Sequence, residues 1–242
     1  MKTANIIISI LLLLMCGCSN PTEKTNKETA LKVNPDGTVT KKTFRKNGTL
    51  LSETTLRNDT LNGVAKNYYE NGKVSYEFFY VNGKRERDVK WFFSDGKICS
   101  ITPYKNNKRQ GIEKRFYRSG KVAAEIPYSN GNPAPGLKEY TEDGKLVVYN
   151  PSIIIRSVDQ TAAQHKFILR LTLSDNNNTA RFFILKDNGS EVKRQELPSK
   201  NGTGEMIFKV SQSNFNIGKI YFEAQAETKY MNSYVCRTTY RR

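Results

Sequence analysis

Histidine is almost absent from this chain, which contains only His165. One imidazole is too few for a multi-histidine metal site, and its neighbours Gln164 and Lys166 supply neither a nucleophile nor an acid. The sequence also lacks a phosphate-cradling glycine loop, a Cys-x-x-Cys pair and a nucleophile-elbow motif. Paired carboxylates such as Glu142-Asp143 stand at turn sequences, where we expect solvent. We therefore expect a protein that is not an enzyme and that holds no metal or cofactor.

Concentrated positive charge is lacking as well, although the formal net charge is +16. The lysines and arginines are spread along the chain and are interrupted by acidic residues throughout. Nucleic-acid binding usually shows a basic patch or stripe, and long blocks of like charge mark interaction tails. We expect no nucleic-acid partner.

Long apolar runs are absent except at the start, where Ile6 to Met15 are apolar apart from Ser9. The run is shorter than the roughly 20 residues that a membrane-spanning helix needs. Lys2 gives it a positive flank, so it is typical of a signal-peptide core. Gly17 then supplies a small residue directly before Cys18.

The stretch Met15-Cys16-Gly17-Cys18 resembles the lipobox of bacterial lipoproteins. The resemblance implies that residues 1–17 are removed and that Cys18 is acylated, for example with palmitate. More than one acyl chain anchors a protein firmly to a bilayer. Ser19 favours the outer membrane in such proteins, and the polar residues 18–37 are predicted to form a flexible tether. An ordinary signal peptide, cut here without lipidation, is the alternative.

A 24-residue repeat dominates the next part of the chain. Glycine recurs at Gly48, Gly72, Gly96, Gly120 and Gly144. Two residues after each glycine stands an aliphatic residue, Leu50, Val74, Ile98, Val122 or Leu146. Four residues before each glycine stands an aromatic residue, Phe44, Tyr68, Phe92, Phe116 or Tyr140. Lysine repeats at the same interval as Lys42, Lys66, Lys90, Lys114 and Lys138. Residues 38–150 are predicted to form one repeat domain.

The repeat has the turn chemistry of β-hairpins. Asn71-Gly72 and Asp95-Gly96 favour type I′ turns, in which both central residues have positive φ. Asn82-Gly83 predicts a looser turn between units. Each unit is therefore expected to be strand, tight turn, strand, and stacked units would form an antiparallel meander.

A two-residue turn at 71–72 would place Tyr69 opposite Val74, and Tyr68 opposite Ser75. The same register pairs three lysines with glutamates and leaves one lysine opposite an isoleucine: Lys42 with Glu53, Lys66 with Glu77, Lys114 with Glu125, and Lys90 with Ile101. We expect the lysine column to be a solvated, paired face, with only Lys90 free. A column that binds an acidic polymer or lipid headgroups is the alternative.

The units, such as "GVAKNYYENGKVSYEFFYVNGK", resemble the MORN repeat variant of bacteria over about Thr38 to Val148. The pattern departs at Arg87, where the leading glycine is missing, at Ile101, where the glutamate is replaced, and around residues 132–136, where prolines intervene. The resemblance implies a hairpin array. Bacterial proteins with this repeat are often classed as antitoxin or immunity components.

From Pro151 onward the repeat stops and seven short strands are predicted, separated by clusters of Asn, Asp, Gly and Ser: Ile153–Val158, Lys166–Ser174, Ala180–Lys186, Glu191–Leu197, Gly204–Ser211, Lys219–Thr228 and Tyr234–Arg241. This spacing favours an immunoglobulin- or fibronectin-like β-sandwich over residues 151–242. The Cys…Trp…Cys signature is missing, so the likeness is architectural. Gly204 is interpreted as a turn glycine. The sequence leaves open whether Cys99 and Cys236 pair.

The predicted fold class is thus all-β: an antiparallel hairpin meander followed by a sandwich. We expect a membrane-tethered, non-enzymatic lipoprotein of the bacterial envelope that binds a protein or glycan or acts as a scaffold. The alternative is an envelope immunity protein that neutralises a toxin. Exposed aromatic residues and the free lysine are the candidate partner-binding residues: Tyr68, Lys90, Trp91, Phe92, Phe116 and Tyr140. Cross-strand packing is the alternative role for the aromatic residues.

Overall fold

The computed structural model describes residues 29–187, 192–210 and 216–242. The predicted signal peptide and the predicted lipidation site, Cys18, lie outside these residues. The described chain is almost entirely β-structure, which confirms the predicted fold class. No helix among the described residues has the length and apolar character needed to cross a bilayer.

Thirteen strands of the described chain form one antiparallel meander, in which nearly every strand pairs with the next. Their bounds are β1 Thr29–Val33, β2 Val39–Phe44, β3 Leu50–Arg57, β4 Thr60–Tyr68, β5 Val74–Val81, β6 Lys84–Phe92, β7 Ile98–Lys105, β8 Lys108–Arg109, β9 Gly111–Phe116, β10 Val122–Ser129, β11 Asn132–Pro133, β12 Lys138–Tyr140 and β13 Leu146–Val147. The hairpin array predicted from the 24-residue repeat is therefore present.

The meander begins earlier than expected. Residues 29–37, predicted as the end of the tether, form β1 and a turn, and β1 pairs with β2 from Thr29↔Thr43 to Val33↔Val39. The turn sequence Asn34-Pro35-Asp36-Gly37 has the chemistry of a turn between two strands, which the tether interpretation overlooked.

The predicted turn types are wrong in an informative way. Gly72 has φ +79° and donates its N–H to Tyr69 O, while Asn71 stays out of the positive-φ region. This is a type I turn followed by a glycine bulge. Two-residue turns with positive φ at both positions occur at the opposite ends of the strands. They are Asn58-Asp59, Asn82-Gly83, Asn106-Asn107 and Asn130-Gly131. The turns between units, which were expected to be looser, are therefore the type I′ turns.

The bulge changes the register near each turn. Lys66 lies opposite Glu77 as predicted, but the pairing shifts by one residue at Tyr68, which faces Val74. The predicted pairs Tyr69–Val74 and Tyr68–Ser75 are thus wrong. The same shift brings the aromatic and aliphatic columns of the repeat opposite one another, in the pairs Phe44–Leu50, Tyr68–Val74, Phe92–Ile98, Phe116–Val122 and Tyr140–Leu146.

Successive hairpins are joined by side chains that reach the next unit's backbone. Tyr69 donates its hydroxyl to Phe92 O at 2.6 Å, and Tyr117 donates its hydroxyl to Tyr140 O at 2.7 Å. Arg45 donates in the same way to Tyr68 O. These bonds join neighbouring hairpins, as expected for a repeat protein.

Residues 153–241 form two four-stranded antiparallel sheets, preceded along the chain by the meander. The first sheet has the order β14-β15-β19-β18 and the second the order β17-β16-β20-β21. The bounds are β14 Ile153–Gln160, α1 Thr161–Gln164, β15 Lys166–Leu173, β16 Arg181–Asp187, β17 Val192–Glu196, β18 Ser199–Lys200, β19 Thr203–Lys209, β20 Lys219–Glu227 and β21 Ser233–Arg241. The seven predicted strands are all present; the ends predicted at Glu191 and Ser211 lie outside the described residues.

The main hydrophobic core lies between these two sheets. Phe167, Leu169 and Leu171 of β15 are buried together with Phe182 of β16 and Phe222 of β20. Alternation along each strand sends these side chains inward. Gly204 lies within β19 and not at a turn, and a β-carbon there would come 2.7 Å from the Phe182 ring. Glycine is therefore needed for close contact between the sheets.

The sandwich is fastened to the meander by a buried carboxylate. Glu139 of β12 is 3% exposed and accepts hydrogen bonds from Thr228 Oγ1 at 2.6 Å and from Asn232 Nδ2 at 2.5 Å. Arg115 of β9 donates to Asn232 Oδ1 at 2.7 Å. The loop between β20 and β21 thus covers the C-terminal part of one meander face.

Candidate interaction surfaces

The meander has two faces with different chemistry. We call the face that carries Lys66 and Glu77 the ladder face, and the face that carries Tyr76 and Trp91 the aromatic face. The buried apolar cluster on the meander is small and consists of Ala124, Ile126 and Tyr128, with Leu137 beside it. Because so little of the meander is core, cross-strand contacts on its two faces carry much of its stability.

The ladder face places lysines and glutamates in one row across the sheet, as the register predicted. Three predicted pairs are present, with Nζ–Oε distances of 3.9 Å for Lys42–Glu53, 3.7 Å for Lys66–Glu77 and 3.9 Å for Lys114–Glu125. All members are partly exposed. Such pairs set register and solubility more than they add stability.

The prediction that Lys90 is free is wrong. Lys90 lies opposite Ile101 on one side, as expected, but its Nζ is 3.0 Å from Glu77 Oε1 on the other side. Glu77 therefore binds two lysines, Lys66 and Lys90. Pairing within one hairpin gives only one neighbour for Lys90, whereas each interior strand of a sheet has two neighbours.

Four of the predicted partner-binding aromatic residues, Tyr68, Phe92, Phe116 and Tyr140, lie on the ladder face and are half-buried. Tyr68 donates its hydroxyl to Glu53 Oε2 at 3.1 Å, and Tyr140 donates to Glu125 Oε2 at 3.4 Å. Burial, together with the Glu53 carboxylate, raises the pKa of Tyr68 to about 12. These contacts agree with the alternative interpretation, in which the aromatic column packs across strands.

Trp91 is the exception among the predicted residues, because it lies on the aromatic face. Trp91 is 39% exposed, and its ring lies parallel to that of Tyr76, with the ring centroids 5.9 Å apart. Tyr76 is in turn parallel to Phe78 within 12°, with centroids 5.6 Å apart, and Tyr80 follows at 6.2 Å. We call Tyr76, Phe78, Tyr80 and Trp91 the aromatic strip.

The aromatic strip was missed by the sequence analysis, although its signal is visible. Tyr76, Phe78 and Tyr80 alternate with Glu77 and Phe79, so period-two alternation places them on one face of β5. Trp91 is opposite Tyr76 in the β5–β6 register. The six predicted partner-binding residues are therefore split between two faces, and the strip brings Trp91 together with three residues that were not predicted.

The aromatic strip lies beside the part of the face that the sandwich covers. Trp91 pairs with Ser100, and Ser100 pairs with Arg115, which is bonded to the sandwich loop. Trp91 Nε1 also donates to Tyr69 Oη at 3.2 Å, which fixes the ring. The aromatic strip is therefore a partly exposed surface whose Trp91 ring is fixed by a hydrogen bond, and it lies next to the junction of the meander and the sandwich.

The remaining candidate chemistry is sparse. Among the described residues no group of three His, Cys, Asp or Glu side chains is placed to hold a metal ion. Cys99 and Cys236 are both free thiols, and burial raises the pKa of each. His165 has φ +52° and ends the short helix α1 before β15.

Three segments of the chain, residues 61–82, 88–106 and 109–130, match the MORN repeat variant. They coincide with the strands from β4 to β10, and they confirm the predicted resemblance over that part of the meander. No curated protein matches the chain. The match identifies the repeat unit, which forms the sheet that carries both faces described above.

Proposed function

We propose that this chain is a non-enzymatic binding module of the bacterial envelope, anchored by a lipid on Cys18, whose aromatic strip contacts a protein or glycan partner. The observation that carries the proposal is the row of near-parallel rings Tyr76, Phe78 and Trp91 on an exposed sheet face. Tyr and Trp are the residue types most enriched at the centres of binding interfaces. The rings are also fixed in place, so little entropy is lost when a partner binds.

Two adjacent positions provide the test. A photo-crosslinking derivative of phenylalanine at position 91 keeps an aromatic ring in the strip and projects from the aromatic face, whereas the same group at position 92 projects from the ladder face. On intact cells we expect position 91 to capture a discrete partner and position 92 to capture none or far less. Equal capture at both positions, or capture at 92 alone, contradicts the assignment of the strip as the contact surface.

The identity of the captured species separates the two versions of the function. A structural protein or an envelope glycan supports the scaffold or recognition role. A secreted toxin, neutralised by the purified chain, would favour the envelope immunity role instead. Replacing Trp91 with alanine should abolish capture by a crosslinker placed at Tyr80, while replacing the similarly exposed Tyr221 of the sandwich should not.

The lipid anchor is a separate proposal with its own test. Gly17 before Cys18 supports cleavage there, and Ser19 supports delivery to the outer membrane. Metabolic labelling with a fatty-acid analogue should mark the wild-type protein and leave Cys18→Ser unlabelled and soluble. A labelled Cys18→Ser variant would refute the site, and recovery of the wild type in the inner membrane would refute the sorting.

We also propose that the sandwich is immunoglobulin-like. The order β14-β15-β19-β18 corresponds to strands A-B-E-D, and β17-β16-β20-β21 corresponds to C′-C-F-G. Such domains commonly act as spacers or recognition modules, although a fold alone fixes no function. An experimental structure in which β18 pairs with β16 and not with β19 would contradict the proposal.

A further inference from the structure

A cleft of about 840 Å³ lies between the meander and the outer face of the β17-β16-β20-β21 sheet. The meander contributes Asn130 of the β10–β11 turn and Asn132 of β11, and the sandwich contributes Phe183, Arg194 and Arg237. Clefts of this volume, at the junction of two domains, are where small ligands commonly bind.

A buried carboxylate organises the floor of the cleft. Glu223 is 1% exposed, and its two oxygens hold two different guanidinium groups. Arg194 Nη2 is 2.7 Å from Glu223 Oε1, and Arg237 Nη2 is 2.8 Å from Glu223 Oε2. Arg237 Nε donates to the same Oε2 at 2.8 Å. Both cations are therefore fixed in direction by one anion.

Other contacts fix Arg194 further. Its guanidinium lies over the Phe183 ring, 4.0 Å from the centroid, and donates to Gln225 Oε1 at 3.2 Å. Arg194 Nε is buried and has no hydrogen-bond partner, and the 2.7 Å contact of Arg194 Nη2 with Glu223 Oε1 is an ion pair that lacks hydrogen-bond geometry. Taking the Glu223 carboxylate and most of Arg194 out of water is costly, and Arg237 stays half exposed, so this ion-pair cluster is weak evidence of a purely stabilising role.

The charges around the cleft leave an excess of positive charge. Two guanidiniums share the single carboxylate of Glu223, and the other lining carboxylate, Glu196, is already bound by Arg181 at 2.6 Å. Lys108 and Lys193 also line the cleft and belong to no ion pair among the described residues. Clefts lined by one sign of charge focus the electrostatic field and attract ligands of the opposite charge.

We propose that this cleft binds a small ligand that carries an oxyanion, a carboxylate or a phosphate. Arg237 is held through Nε and Nη2 and is half exposed, so its remaining Nη1 edge is available to the cleft. The guanidinium fork matches carboxylate and phosphate oxygens better than a lysine does. Asn130 and Asn132 offer amide donors and acceptors to the uncharged part of the ligand. The site is separate from the aromatic strip and does not depend on the function proposed for it.

Calorimetric titration of the mature, full-length chain with citrate and with inorganic phosphate tests the proposal and separates the two oxyanion sources. We expect the wild type to bind at least one probe, with affinity that falls as salt is raised. Arg237→Gln should weaken binding about tenfold, since a charge-assisted hydrogen bond is lost. Arg170→Gln is the matched control, because Arg170 is equally exposed and also binds a cross-strand glutamate, but on the other sheet.

A second variant keeps the test valid if Arg237→Gln fails to fold. Lys193→Gln removes a lining charge without disturbing Glu223, and we expect it to weaken binding about threefold by reducing long-range attraction. Binding of citrate alone identifies a carboxylate site, and binding of phosphate alone identifies a phosphate site. Failure of the folded wild type to bind either probe, or equal weakening by Arg170→Gln, would overturn the proposal.

Discussion

Replacement of Glu139 with alanine should weaken the interface between the sandwich and the meander. The carboxylate is buried, and two neutral donors, Thr228 Oγ1 and Asn232 Nδ2, converge on its Oε1 at 2.6 and 2.5 Å. A hydrogen bond to a charged group contributes about 1.5–3 kcal/mol. Removing the acceptor also leaves both donors buried without it. We therefore expect Glu139→Ala to lower the free energy of unfolding by about 3–5 kcal/mol.

Glu125 is the matched control for this prediction. It lies on the neighbouring strand β10, one register position away from the Ala124–Glu139 pair, but it points to the ladder face. Its ion pairs with Lys114 and Lys138 are long, at 3.9 and 3.7 Å, and partly exposed to solvent. Pairs of this kind contribute about 0–1 kcal/mol, so Glu125→Ala should cost about 1 kcal/mol or less.

Urea denaturation measures both variants, with the fluorescence of the single tryptophan, Trp91, reporting on the meander. Hydrogen exchange of the backbone amides in residues 228–232 then shows whether the junction opens before the rest of the protein. Faster exchange in this loop for Glu139→Ala, but not for Glu125→Ala, is the expected result. Equal losses of stability in the two variants, with no local opening, would refute the role assigned to Glu139.

Three further predictions concern the turns, the ladder and the sandwich. Gly72→Val should cost at least about 1–2 kcal/mol in thermal unfolding because φ is +79°, and since no atom lies within 4 Å of the added β-carbon the cost is conformational; an unchanged melting temperature would contradict the bulge. The double variant Lys66→Glu with Glu77→Lys should restore only part of the stability lost in the single variants. The lysine at position 77 would face Lys90, which in the wild type lies 3.0 Å from Glu77. Full restoration in a double-mutant cycle would contradict that contact. Burial raises the pKa of the Cys236 thiol from 9.0 to about 11. The protonated thiol therefore contributes its full stabilisation below pH 9, and this stabilisation is lost as pH rises through 11. The Cys236→Ala variant should show a flatter pH–stability curve over that range.

Local features of the fold could be predicted because they depend on local sequence. Turn chemistry and period-two alternation involve residues a few positions apart, so the 24-residue spacing placed the hairpins and the strand spacing placed seven of the eight sandwich strands. The exact register near the turns was less accessible. Asn-Gly suits both a type I′ turn and a bulged type I turn, and the choice shifted the pairing at Tyr68 by one residue.

The candidate sites depended on contacts that the sequence does not display. The lysine column followed from hairpin arithmetic, but the partner of Lys90 lies across a second strand boundary, and Trp91 joined Tyr76 only once β5 and β6 were aligned.

The repeat, the positions of the strands and the alternation of side chains along them are properties of short segments, and they could therefore be predicted. Which charges are buried depends instead on how distant segments pack together. Glu139 meets Thr228 and Asn232 from 89 and 93 residues away, and Glu223 of β20 contacts both Arg194 of β17 and Arg237 of β21. The local sequence around a carboxylate on the meander is the same whether solvent or another domain covers the side chain, but its contribution to stability depends on which of the two covers it.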